Sequence, residues 1–145
     1  MRFKEKVALV TGAGGNIGAA IAQAFAAEGA AVALVDIDGS AAEKTVGQIQ
    51  TDGGASRAWA LDVGDARAAA EVVSRVRAHF GAIHILVNNA AVVPRTPENN
   101  VTALDLSEEV WDQSFRVNVK GAFLMSREVG RLMIRDGVKG RIVNI

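Results

Sequence analysis

Between Thr11 and Gly18 the chain reads Thr-Gly-Ala-Gly-Gly-Asn-Ile-Gly, and this octapeptide constrains the fold more than any other stretch. It follows the apolar run Val7-Ala-Leu-Val10 and opens onto the alanine-rich segment from Ala19 to Glu28. A strand, a glycine turn and a helix in that order present free backbone N–H groups at a helix start, where a phosphate can bind. Glycines suit such a turn because a Cβ would block it and hold a pyrophosphate away from the backbone. A second apolar run, Ala31-Val-Ala-Leu-Val35, ends in Asp36, 18 residues beyond Gly18. A carboxylate at the end of the second strand of a βαβ unit can accept both hydrogen bonds of an adenosine ribose. Glycine turns, and acids after strands, also occur in α/β proteins that bind no nucleotide. Loop, helix and acid in succession point to a dinucleotide.

With 145 residues, half of them apolar, the chain has the size of one domain and enough apolar surface for a sizeable core. Its few aromatics suit Ala, Val, Ile and Leu packing of helices on a parallel sheet. Sixteen basic residues balance 16 acidic ones without a basic cluster, which argues against nucleic acid and anionic membrane as partners. Cysteine is absent, so disulfides, thiolate metal sites and a cysteine nucleophile are excluded. His79 and His84 lack ligand spacing, and no metal is expected. Residues 7–27 carry no charge and follow Arg2, Lys4 and Lys6, the outline of a secretory signal. Five of the residues from 11 to 16 are glycine or polar, however, and the leucine density of an apolar h-region is missing. A soluble cytoplasmic protein is expected.

Along the chain, Ile17, Ile21 and Phe25 recur at helical spacing and predict a first helix with one buried stripe. Ser40 and Glu43 form a capping box for a second helix, which ends near Asp52-Gly53-Gly54. Ala58-Trp-Ala-Leu61 reads as the third strand. Asp65 then caps a third helix with Val72, Val76 and Phe80 on one face, stopped by Gly81. His84-Ile-Leu-Val87 reads as a strand buried on both faces. Pro94 to Thr102 is a polar loop. Ser107 caps a long helix, with Glu108 and Glu109 well placed against its dipole and Trp111, Phe115, Asn118, Ala122 and Met125 along one face. Arg141-Ile-Val-Asn-Ile145 is a fifth strand. Trp59 and Trp111 are most simply core aromatics, and Arg95, Arg116 and Lys120 most simply solvated. The alternation predicts an α/β fold, a Rossmann-type doubly wound parallel sheet in three α/β/α layers.

These motifs together resemble the short-chain dehydrogenase/reductase superfamily over the whole chain. Thr11-Gly12 with Gly18 resembles its coenzyme loop, Asp36 its ribose-binding acid, and Asp62-Val63 the pair that holds the adenine ring. Asn88-Asn89-Ala90-Ala91 is similar to the family's Asn-Asn-Ala-Gly, and Asn118-Val-Lys-Gly121 to the segment carrying its catalytic-site asparagine. The resemblance implies coenzyme contacts at Gly12, Gly15, Asn16, Ile17, Gly18, Asp36, Ile37, Asp62, Val63, Asn89 and Ala90. It makes Asn118 a support for a bound water in a proton relay, whereas a lone asparagine on an apolar helix face most often bonds a backbone carbonyl. Two positions depart from the pattern. Asn16 stands where the short form of the family has glycine. The loop as written fits Thr-Gly-x-x-Gly-x-x-Gly, the spacing of the extended, epimerase-like branch, with Gly15 as its central glycine, while the downstream motifs favour the short branch. Ala91 replaces a glycine and narrows the space beside the nicotinamide ribose by one methyl.

Asp36 would bond a free 2′-hydroxyl and repel a 2′-phosphate, and Gly12 to Gly18 contains no Arg or Lys, so NAD is expected over NADP. The family's hydride transfer requires a tyrosine, its pKa lowered by a lysine four residues on, and a serine that positions the substrate. This chain has no tyrosine. On the resemblance those groups would come after Ile145, so residues 1–145 are expected to form one NAD-binding domain, cut within its fifth strand and inactive alone. The whole would be a homo-oligomeric dehydrogenase or reductase of an alcohol/ketone pair. An extended-branch epimerase or dehydratase acting on a nucleotide sugar, and a non-catalytic nucleotide-binding module, are the alternatives. Tyr-x-x-x-Lys beyond Ile145 separates enzyme from module.

Overall fold

Five short aliphatic runs form one parallel sheet, in the order β3-β2-β1-β4-β5, in the computed structural model, which describes residues 1–93 and 102–145. β1 (Val7–Thr11) lies at the centre, with β2 (Ala31–Asp36) and β3 (Ser56–Ala60) on one side and β4 (Ile85–Asn88) and β5 (Arg141–Asn144) on the other. Side chains alternate across each strand. Val10, Val32, Leu34 and Val87 therefore face one layer, and Leu9, Ala33, Val35 and Leu86 the opposite one. The first layer is α1 (Asn16–Ala27) and α2 (Gly39–Thr51), and the second is α3 (Ala66–Phe80) and α5 (Ala122–Arg135). This is the expected doubly wound arrangement.

Several local expectations are corrected. α1 does not bury the Ile17, Ile21, Phe25 stripe. It buries Gly18 and Ala22, whose small side chains let the helix lie close to the sheet, while Ile17 is exposed and the other two are half-buried. α2 is capped by Asp38 rather than by a Ser40–Glu43 box. The Asp38 Oδ1 accepts from the Ala41 N–H (3.0 Å) and the Ser40 hydroxyl (2.8 Å), because the carboxylate is the stronger acceptor at a helix N-terminus. Asp65, Ser107 and Gly81 act as expected, and Trp59 is buried. β3 begins two residues earlier than expected, and β4 one residue later. The loop at Pro94 to Thr102, with Arg95, lies almost wholly outside the described residues.

The long helix after Ser107 is interrupted. α4 (Glu108–Phe115) passes into a π-helical turn, Arg116–Gly121, and then into α5. A π-turn inserts extra backbone into the helix and rotates the residues beyond it. The expected single face is split: Met125 is fully buried, whereas Trp111 and Phe115 are exposed, so Trp111 is not a core aromatic.

His84 ties the starts of three strands together. Its N–H donates to the Val7 carbonyl (2.9 Å), its carbonyl accepts from the Arg141 N–H (2.9 Å), and its Nδ1 accepts from the Val7 N–H (3.1 Å). An accepting ring nitrogen must be unprotonated. Burial first, and the Lys6 ammonium second, hold the imidazole below its ordinary value of 6.5. As pH falls below that value the unfolded chain takes up a proton that the folded chain resists, so this contribution to stability is lost toward acid. Calorimetry between about pH 7.5 and pH 5 is expected to show a smaller fall in thermal midpoint for His84→Gln than for the parent protein. Parallel falls in the two proteins would refute this role.

Candidate functional site

At the carboxyl ends of the strands, β1 and β4 part to opposite layers, the place where an open α/β sheet forms a crevice. A buried polar knot holds them at the parting. The Thr11 hydroxyl donates to the Val87 carbonyl (3.3 Å) and accepts from the N–H groups of Asn89 and Ala90 (3.0 Å each). The Asn89 Nδ2 donates in return to the carbonyls of Thr11 (3.0 Å) and Gly12 (3.2 Å). All three hydrogen-bonding positions of the hydroxyl are thereby used. Beside the knot, buried Asn88 donates to the Ser126 Oγ (2.9 Å) and the Asn144 Oδ1 (2.8 Å), joining β4 to α5 and β5.

The glycine loop closes against this knot. A Cβ at Gly18 would collide with the Gly12 carbonyl and the Asn89 side-chain amide. Asn16, the first residue of α1, is left-handed at φ +50°, as is Gly12 at the start of the loop, whereas Gly15 has extended backbone that any residue adopts. The positive φ in this turn thus falls at Asn16 and at Gly12 (φ +65°), and not at Gly15. Asparagine is among the L-residues that best tolerate this conformation. Side chains cap α2, α3 and α4, but none caps α1, so its first N–H groups are left to another acceptor.

Asp36 is held under the loop. Its Oδ2 accepts from the Gly14 N–H (2.8 Å) and its Oδ1 from the Asp38 N–H (2.9 Å). A Cβ at Gly14 would come within 2.9 Å of that Oδ2, so glycine is what admits the acid. The motifs assign nothing to Gly14, and its place in an unusually glycine-rich loop is the only sequence signal for this role. Each Asp36 oxygen keeps a further lone pair for an incoming hydroxyl.

These elements enclose a cleft of about 500 Å³. Gly12, Gly15, Asn16, Ile17, Gly18, Asp36, Ile37, Asp62, Val63, Asn89 and Ala90, the eleven expected contacts, all line it. Ile17, Ile37 and Val93 expose large apolar side chains at its walls, as a site for a flat ring requires. Gln113, Arg116 and Val117 also line it, and no motif marks them.

Arg116 is not merely solvated. Its Nη1 donates to the Asp62 Oδ2 (2.8 Å), and the Gly64 N–H donates to the Asp62 Oδ1 (2.9 Å). Burial alone would raise the Asp62 pKa, but the guanidinium and the N–H outweigh it and hold the carboxyl below its ordinary range. Asn118 does not line the cleft. Its Oδ1 accepts from the Val92 N–H (2.8 Å) and its Nδ2 donates to the Val92 carbonyl (3.0 Å), so the side chain pairs with backbone as a strand would. Among the described residues, no group of three or more His, Cys, Asp or Glu is placed to hold a metal. Among them, too, no helix is long and apolar enough to cross a membrane.

A family model described as short chain dehydrogenase matches residues 6–145. D-threitol dehydrogenase of Mycolicibacterium smegmatis is 44% identical over 144 residues, which cover 99% of this chain and 53% of the relative. Galactitol 2-dehydrogenase of Agrobacterium fabrum is 43% identical over 145 residues, covering 100% and 54%. The crystal structure of NAD+-bound xylitol dehydrogenase matches with a TM-score of 0.92 at 38% identity, covering 99% of this chain and 54% of that one. The chain spans about half the length of the curated relatives it matches.

The turn geometry sets an order of tolerance. Asn16→Gly and Gly15→Ala are expected to unfold in urea close to the parent protein, since nothing lies within 4 Å of a Cβ at position 15. Asn16→Val places a β-branched residue in the left-handed region and is expected to lose about 1–2 kcal/mol. A valine variant as stable as the parent would contradict the assignment of Asn16.

Proposed function

This chain belongs to the short chain dehydrogenase family, and from that premise we propose that it forms the coenzyme-binding half of an NAD-dependent oxidoreductase acting on an alcohol/ketone pair. The observation that carries this reading is the convergence of the eleven motif residues on one cleft, with Asp36 fixed at its rim. The uncapped start of α1 would take the pyrophosphate, and Asp36 the adenosine ribose hydroxyls. Asp62 and Val63 would hold the adenine, and Asn89 and Ala90 would flank the nicotinamide ribose. The open space at Gly15 fits such a group, because no atom of the fold competes for it. Bound NAD supplies the carbon that takes or returns a hydride.

Residues 1–145 contain no tyrosine, the residue that the family resemblance makes the proton donor. Asn118 does not titrate, so its part in a relay is a supporting one, holding Val92 in place beside the cleft. His84 is engaged at the opposite ends of the strands. In this reading residues 1–145 alone bind coenzyme without turnover, and a serine, tyrosine and lysine elsewhere in the enzyme complete the site. The relatives named for threitol, galactitol and xylitol favour a secondary alcohol of a polyol as substrate. The relatives named as polyol dehydrogenases support this reading over an epimerase-like one. Cytoplasmic location is part of the proposal, since NAD is a soluble intracellular reactant.

Self-association is also proposed. Trp111, Phe115, Val119 and Phe123 are exposed at four-residue spacing along α4, the π-turn and α5, and the Trp111 and Phe115 rings stack at 4.6 Å. Antiparallel pairing of two copies about a two-fold axis would bury these four apolar side chains against their counterparts.

Three measurements on the full-length protein test these points. Titration calorimetry is expected to show tighter binding of NAD than of NADP, with Asp36→Ala losing NAD affinity preferentially, and reduced nicotinamide absorbance is expected to rise with polyols. Tighter NADP binding by the parent protein would overturn the coenzyme assignment. Light scattering of Phe123→Glu is expected to show a lower mass than the parent, and an unchanged mass would remove the stripe from the interface.

A further inference from the structure

The π-turn Arg116–Gly121 seats on the loop after β3 at both of its ends. At its start, Arg116 lies across Gly64, where a Cβ would collide with the Arg116 Nη1 and meet its Cγ and Cζ at 3.0 Å. At its end, Gly121 backs onto Val63, where a Cβ would meet the Val63 Cγ2 at 2.6 Å. Between the two, Asn118 grips the backbone of Val92 on the other wall of the cleft. The guanidinium thus reaches Asp62 from an element held on two sides.

Asp62 receives one donor on each oxygen, and the donors come from different parts of the fold. Gly64 belongs to its own loop, whereas Arg116 is 54 residues away in sequence. An ion pair with partners exposed at 40% and 32% adds little by charge alone. Its effect is geometric: two fixed donors set the plane of the carboxylate and leave one lone pair on each oxygen open. We propose that Arg116 is a positioning residue for the adenine end of the cleft, orienting the Asp62 carboxylate so that its open lone pairs accept the adenine amine. This rests on the coenzyme reading given above. It also assigns Arg116 a task other than pairing with a 2′-phosphate, since its guanidinium is already committed to Asp62.

The test is calorimetric binding of NAD, NADP, ADP and nicotinamide mononucleotide to the full-length protein carrying Arg116→Met, Arg116→Lys, Asp62→Asn or the Arg116→Met/Asp62→Asn pair. Arg116→Met keeps the aliphatic stem across Gly64 and removes the donor. It is expected to weaken NAD and ADP by a common factor of roughly five to ten, the scale of one ordinary hydrogen bond, and to leave the mononucleotide unchanged. Asp62→Asn is expected to match it, the double variant to add nothing further, and Arg116→Lys to recover part of the loss. NMR titration without coenzyme is expected to show the Asp62 carboxyl moving up toward its ordinary range in Arg116→Met. Additive losses in the double variant, a loss confined to NADP, or unchanged ADP binding would each overturn the proposal. A parent protein that binds neither NAD nor ADP defeats the coenzyme reading and the positioning role together, a result distinct from parent binding that Arg116→Met leaves intact.

Discussion

The cleft depends on one hydroxyl. Where β1 and β4 end, parallel pairing stops and the two chains must leave in opposite directions, which strips both of their ladder partners. Thr11 supplies the missing bonds, accepting from Asn89 and Ala90 and donating to Val87, and Asn89 answers with two bonds to the carbonyls of Thr11 and Gly12. Thr11 is 1% exposed, so these bonds form where an unpaired polar group would be costly. They also fix Gly12 and Asn89 side by side, and Gly18 packs into the angle between them. The helix start, the glycine loop and the end of β4 are thus held by one set of contacts.

Asp36 inherits its position from the same loop. Because two backbone N–H groups already hold its carboxylate, the acid is ordered before any ligand arrives, and a ribose bound there as proposed would lose little binding energy in ordering it. The arrangement has a consequence for the loop. Gly14 makes room for the acid, Gly18 for the close approach of Gly12, and Gly12 and Asn16 carry the left-handed backbone. Three requirements that appear as a single glycine-rich motif are met by separate residues.

That division explains which features are legible in the sequence. Strand runs, the Asp65 and Ser107 caps and the eleven cleft residues are local patterns, in which a few neighbouring side chains carry the signal. The positive φ at Asn16 is hidden because spacing does not encode φ. Asp38 and Ser40 are both good capping residues two positions apart, and only the folded geometry chooses between them. Gln113, Arg116 and Val117 reach the cleft through the packing of a distant helix, for which the local pattern holds no information. Trp111 escapes the pattern because helical periodicity assumes about 100° per residue throughout, and the π-turn breaks that count.

The π-turn is the physical reason that one helix can serve so many neighbours. In a regular α-helix the residues facing one surface recur at three- and four-residue intervals, which gives a narrow stripe. Here Arg116 meets the Asp62 loop, Val117 lines the cleft, Asn118 holds Val92 and Gly121 touches Val63. Three consecutive inward contacts exceed what a regular stripe provides. The wider turn spreads the inner face across both walls of the cleft, while Phe115, Val119 and Phe123 keep a continuous outer stripe at four-residue spacing. Such turns are rare and frequent at functional sites, and a π-turn in place of a regular helix calls for compensating contacts. The Arg116, Asn118 and Gly121 contacts are those compensations. Loss of any one of them would favour a regular helix, which makes the shape of the cleft and the irregularity of the helix a single structural feature.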